Sequence, residues 1–158
     1  MDTRHLSLTL DSADATNMHA LTLAAHLSAG DTILLSGDVG AGKTHFARTL
    51  IQSLIHPPED VPSPTFTLVQ TYEGADCPIW HADLYRLSST HEIEELGLFE
   101  AVDTAICLIE WPDRLGDLTP QEALLIGLQV GSTEDSRVMD VRWTHPKWDA
   151  KLVGWGKC

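Results

Sequence analysis

Gly37-Asp38-Val39-Gly40-Ala41-Gly42-Lys43-Thr44 has the spacing G-x-x-x-x-G-K-[ST], the pattern of a loop that turns its backbone N–H groups inward around a polyphosphate. The glycines allow the wrapping, and a helix starting at the end of the loop would add the positive end of its dipole. Asp38, Val39, Gly40, Ala41 and Gly42 would form the cradle, Lys43 would reach the β- and γ-phosphates, and the Thr44 hydroxyl would hold Mg²⁺.

Such a loop needs an acid at the end of a buried strand, to hold the metal shell or orient attacking water. Glu110 stands where the apolar run Ala105-Ile106-Cys107-Leu108-Ile109 ends; the plainer reading is a surface Glu opening a loop. Trp111-Pro112 would fix the exit of the chain. Thr65, in Ser63-Pro64-Thr65-Phe66, suits either a loop that senses the terminal phosphate or a rigid turn. His81 and Asp83, two apart, share a strand face. Asp83 would polarise water or join the metal shell, the pair would ligate a transition metal, or both are ordinary strand-end polar residues. Arg86 is either an arginine finger in cis or a partner of the acidic helix after it. The one asparagine is Asn17, so an N-K-x-D guanine reader is absent and ATP is favoured.

The elements that must position these residues follow from periodicity. Thr32 to Ser36 reads as a buried strand entering the loop, and Phe46, Leu50, Ile51, Leu54 and Ile55 have helical spacing after it. Before them, His5 to Leu10 alternates as an edge strand, and Asp11 or Ser12 caps an Ala-rich helix expected to end near Gly30. Prolines 57, 58, 62 and 64 make the next stretch an irregular loop. Phe66 to Tyr72 and Pro78 to Asp83 read as a hairpin, and Thr90 to Val102 as one broken helix or two short ones around Leu96-Gly97-Leu98. Ala105 to Ile109 suits the middle of a sheet. Leu124 to Val130 and Val138 to Trp143 pair across a turn, with a short helix after Pro146.

Composition narrows the partners. Ten Lys and Arg against 23 Asp and Glu give a net charge of −13, too acidic for tight nucleic-acid binding through phosphates. Arg137, Arg142, Lys147, Lys151 and Lys157 gather near the C-terminus, either to steer a partner or simply to solvate the surface. Cys77, Cys107 and Cys158 share no metal or disulfide spacing, which points to a reducing compartment and a cytoplasmic protein. No apolar run is long enough to span a membrane.

In the order in which they occur, the P-loop, Ser63-Pro64-Thr65-Phe66-Thr67-Leu68-Val69, His81-Ala82-Asp83-Leu84-Tyr85-Arg86, Glu94-Glu95-Leu96-Gly97 and Ile109-Glu110-Trp111-Pro112 resemble the motifs of the TsaE (YjeE) family. That family comprises P-loop ATPases of tRNA threonylcarbamoyladenosine biosynthesis. The resemblance implies ATP and Mg²⁺ as cofactors, with Lys43 and Thr44 on phosphates and metal. It makes Glu110 the Walker B acid near Mg²⁺, Asp83 a catalytic carboxylate, and Thr65 part of a switch-like loop. Val39 stands where the family often has Leu. His45, where it often has Thr, places a titratable ring beside the metal-binding residue and among the candidate nucleotide contacts. The implied partners are TsaD and TsaB, with tRNA reached only through the complex.

The expected fold is α/β: one three-layer P-loop NTPase domain over residues 1–158, with a mainly parallel central sheet and antiparallel additions. The expected activity is in-line attack of water on the γ-phosphate, with Lys43, Asp83 and Glu110 as the catalytic groups. A small-molecule kinase would need an arginine-bearing lid, and residues 49–85 contain no arginine. A nucleotide switch without hydrolysis is the other rival.

Overall fold

The computed structural model describes residues 3–38, 40–55, 59–64 and 67–155. Among the described residues, seven strands form one sheet in the order β1-β7-β6-β2-β5-β4-β3. β2 (Thr32–Ser36) lies at its centre between β5 (Ile106–Glu110) and β6 (Leu124–Val130), parallel to both, and β4 (Pro78–Asp83) continues the parallel set beyond β5. Three antiparallel pairings flank this centre: β3 (Val69–Glu73) on β4, β7 (Arg137–Trp143) on β6, and β1 (Arg4–Leu10) on β7. The mainly parallel centre with antiparallel additions is therefore as expected, and β1 is an edge strand.

Alternation along the central strands divides the core in two. Ile33 and Leu35 of β2, with Ile106 and Leu108 of β5, pack with α1 (Ala13–Ala24) and α2 (Lys43–Leu54) through Ala20, Leu23, Phe46 and Leu50. Leu34 and Ile109 face the other way, onto Ile93 of α3 (Thr90–Glu95), Leu98 of α4 (Leu98–Ala101) and Leu115 of the 3₁₀ segment Pro112–Leu118. Helices thus cover both faces, and every residue of β5 is buried. Phe46, Leu50 and Ile51 are fully buried, each worth roughly 1.5–3 kcal/mol against exposure; they press α2 onto the sheet and so fix the direction of its first turn.

Two boundaries shift by more than one residue from the sequence reading. α1 begins as expected with Ser12 as its cap, the Ala15 N–H donating to Ser12 Oγ at 3.1 Å. It stops at Ala24 rather than near Gly30, because the Asp31 carboxylate accepts the Ser28 N–H at 2.9 Å and closes a turn there. β3 starts at Val69, since Leu68 is left-handed (φ 70°) and its N–H closes a turn on the Pro64 carbonyl at 2.7 Å; the expected first strand residue, Phe66, lies outside the described residues. Thr90 to Val102 forms two short helices, one of the two arrangements expected, parted where Gly97 turns left-handed (φ 81°). A last helix, α5 (Lys147–Lys151), follows Pro146. None of the helices among the described residues is long and apolar enough to cross a membrane.

Candidate functional site

The chain leaves the C-terminal end of β2 through Gly37, at φ 137°, where a Cβ would run into the Leu128 carbonyl of β6. The Ala41 N–H donates to the Asp38 carbonyl at 3.0 Å, and Gly42, left-handed at φ 102°, launches α2. Gly42 has no side chain to cap the helix. The first N–H groups of this twelve-residue helix are therefore available to an anion, with the helix dipole behind them.

Lys43 lies in the first turn of α2, only 5% exposed. Its Nζ donates to the Gly37 carbonyl and, at 3.2 Å, to the Asp38 carbonyl, and it lies 4.3 Å from the centre of the Trp111 ring. Burial lowers its pKa below the usual lysine value, and the Glu110, Asp83 and Asp38 carboxylates oppose that shift in part. The Thr44 hydroxyl donates to Glu110 Oε1 at 3.0 Å and approaches Oε2 at 3.3 Å.

Parallel pairing of β4 and β5 sets Asp83 directly beside Glu110. Both carboxylates are buried, at 5% and 2% exposure. Asp83 Oδ1 accepts the Tyr85 N–H at 2.9 Å, and His81 Nε2 lies 2.7 Å from Glu110 Oε2. After Glu110 the chain bends through Trp111, a non-glycine residue at φ 60°. Positive φ at a bulky residue is a strained conformation. It presents the indole to Lys43 on one side and, at 4.7 Å between ring centres, to Tyr85.

Gly40, Gly42, Lys43, Thr44, His45, Asp83, Glu110, Trp111 and Arg137 line a cavity of about 390 Å³. Seven of the residues singled out from the sequence thus meet at one place. Asp38 contributes its carbonyl to Lys43, while Ala41 is buried, its N–H spent on Asp38 and its carbonyl on Arg137. Val39 and Thr65 lie outside the described residues. Arg86 is exposed and is not among the residues lining the cavity.

Sequence reasoning gave no role here to Arg137. Its Nε donates to the Ala41 carbonyl at 2.9 Å and braces the loop from β7, 96 residues away, a distance no local spacing signals. Arg137, Gly42 and His45 also border a second, smaller space of about 170 Å³ with Ala13, Thr16 and Asp135. His45 is held towards α1 by Asn17 Oδ1 at 2.7 Å. Two of the C-terminal lysines prove to have an internal partner: Lys147 and Lys151 both bind Asp31.

Glu110 and Thr44 offer only oxygen atoms, the donor set a hard divalent cation prefers, beside a loop built for phosphate. The residues present therefore fit a hard divalent cation such as Mg²⁺, which Thr44 and Glu110 would hold.

Both the sequence and the fold have relatives among known proteins. The sequence profile of the family described as "Threonylcarbamoyl adenosine biosynthesis protein TsaE" matches residues 10–139. The chain is 41% identical to the tRNA threonylcarbamoyladenosine biosynthesis protein TsaE of Rickettsia felis, over 92% of this chain and 91% of that one. It is 35% identical to the protein of the same name from Rickettsia conorii, over 91% of each. The Bacillus subtilis TsaE is 34% identical over 79% of this chain and 78% of its own length. Among solved structures, YdiB of Bacillus subtilis superposes with a TM-score of 0.76 at 24% identity, covering 96% of this chain and 94% of that one.

Proposed function

The chain belongs to the TsaE family, which takes part in tRNA threonylcarbamoyladenosine biosynthesis, and from that premise we propose that it is the Mg²⁺-dependent ATP-binding and ATP-hydrolysing subunit of that modification. The observation that carries this reading is the joining of Thr44 to Glu110 at 3.0 Å beside a buried Lys43. It brings the phosphate loop and a strand-end acid into one site.

On ATP binding, the Lys43 ammonium exchanges the Gly37 and Asp38 carbonyls for β- and γ-phosphate oxygens. The backbone N–H groups at the start of α2 take up the remaining phosphate charge. Bound Mg²⁺ supplies neutralisation of the charge that builds on the β- and γ-phosphate oxygens. Thr44 and Glu110 would hold it from the protein side. Asp83, beside Glu110 and lining the same cavity, orients the attacking water. The space between His45, Asp135 and Arg137, which shares Gly42, His45 and Arg137 with the phosphate cavity, would receive the nucleoside end. Trp111, with Tyr85 packed on its ring, closes one wall of the site.

The acidity of the chain, −13 overall, fits a subunit that reaches tRNA only through the proteins TsaD and TsaB. Single-turnover hydrolysis of γ-labelled ATP by the chain mixed with both proteins tests the reading. Phosphate release is expected; intact ATP in the presence of every partner would leave only a nucleotide switch.

A further inference from the structure

We infer that His81 is a positioning residue for the metal: its Nε2–H fixes the Glu110 carboxylate so that Glu110 and Thr44 face a divalent cation together. This rests on the reading of the cavity as a Mg²⁺–nucleotide site. His81 is fully buried on β4, two residues before Asp83 and on the same strand face, and its Nε2 lies 2.7 Å from Glu110 Oε2.

A carboxylate in this setting only accepts, so the hydrogen in the contact sits on Nε2. The donation occupies one lone pair of Oε2 and sets the plane of the carboxylate. The Thr44 hydroxyl can then donate to Oε1 at 3.0 Å. With its hydrogen so engaged, the Thr44 oxygen keeps its lone pairs for a cation. Without His81, Glu110 would be free to rotate about its terminal torsion, which is broad and soft. The Thr44 hydrogen bond would lose its fixed partner.

The other ring nitrogen gives an independent reason to assign the ring to this task. His81 Nδ1 is buried with no hydrogen-bond partner among the described residues. Burial of an unpaired polar atom is a cost to the fold. A leucine would fill much of the same space without that cost. What the imidazole supplies in return is the donor to Glu110.

The test measures ADP affinity calorimetrically with and without MgCl₂ in the full chain, for wild type, His81→Leu and His81→Gln. His81→Leu removes the donor, whereas the Gln amide replaces it at similar reach. Loss of an outer-sphere partner typically weakens a metal site by about 10- to 100-fold. His81→Leu is therefore expected to raise the Mg²⁺ concentration for half-maximal ADP binding by at least about tenfold, with metal-free ADP affinity within about twofold of wild type. His81→Gln is expected to stay within about threefold.

Wild-type Mg²⁺ dependence in His81→Leu overturns the inference. So does a defect in His81→Gln as large as in His81→Leu, or an equal loss with and without metal, which would mark a purely structural residue. If His81→Leu fails to fold, His81→Asn, whose shorter amide does not reach Glu110, takes its place with the same expected shift. A wild type that binds ADP with no Mg²⁺ dependence overturns the proposed site itself; intact wild-type dependence with no effect at His81 overturns only this inference.

Discussion

At the N-terminal end of β2 the Asp31 carboxylate, 2% exposed, receives Lys147 at 3.0 Å, the Lys151 ammonium and the Ser28 N–H at 2.9 Å. At the C-terminal end Lys43, 5% exposed, rests on two loop carbonyls and an indole face, with its pKa lowered by burial. Both ends of one strand bury charge, yet only the first surrounds its charge with opposite charges at contact distance. A buried ion with complete partners is a clamp, here tying α5 to the start of β2. A buried cation held by neutral groups, with acids nearby and a cavity in front, is set to exchange its partners for a ligand.

The same substitution in the cavity, at Asp83 of β4, and in the clamp, at Asp31, should therefore separate activity from stability. Asp83→Ala is expected to lower turnover in the assembled system by at least about 10²-fold, in the range of lost general-base or water-orienting groups, while Mg²⁺–ATP binding persists. Steady-state hydrolysis beside calorimetry checks this; loss of binding together with turnover would make Asp83 a metal ligand or a structural residue. Asp31→Ala should do the reverse. Removing one member of a buried ion cluster costs about 3 kcal/mol, a fall in Tm of roughly 10 °C for a chain of this size. Nucleotide affinity of the folded fraction should be unchanged. A Tm within a few degrees of wild type would mean that the two lysines already satisfy themselves elsewhere.

The smallest expected effect concerns Lys43 itself. Because burial lowers its folded-state pKa below 10.5, the folded state holds the proton less well than the unfolded state. Its charge therefore destabilises the fold fully at pH values below the folded pKa, and this penalty disappears as the pH rises towards 10.5. Lys43→Met should be as stable as wild type or more so near neutrality, and the difference should shrink in alkaline buffer. Denaturant titrations of both proteins between pH 7 and 10 measure the difference; a gap that widens with pH contradicts the assignment.

What was legible in the sequence was whatever the chemistry encodes locally. The glycine spacing of the loop, the apolar strand before it and the helical period after it lie within one stretch of chain, and an acid ending an apolar run marks Glu110. Asp83 could be named from its motif, but its place beside Glu110 depends on parallel pairing of β4 and β5, which no spacing between residues 83 and 110 encodes. Arg137 bracing Ala41 and Lys151 bracing Asp31 span 96 and 120 residues and became visible only with the sheet assembled. The over-long α1 failed for a local reason: Ala25 and Leu27 favour continuation, but the Asp31 carboxylate offers the Ser28 N–H a better partner.

The central claim is that the loop, Lys43 and the Thr44–Glu110 pair form a Mg²⁺–nucleotide site. It is tested most directly by calorimetric titration of ATP, with MgCl₂, into the full chain and into Lys43→Ala. The account predicts saturable binding to the first that weakens without Mg²⁺, and at least about 100-fold lower affinity for the second, the loss of roughly 2.7 kcal/mol of phosphate contact. Equal affinity of the two proteins for ATP would contradict it.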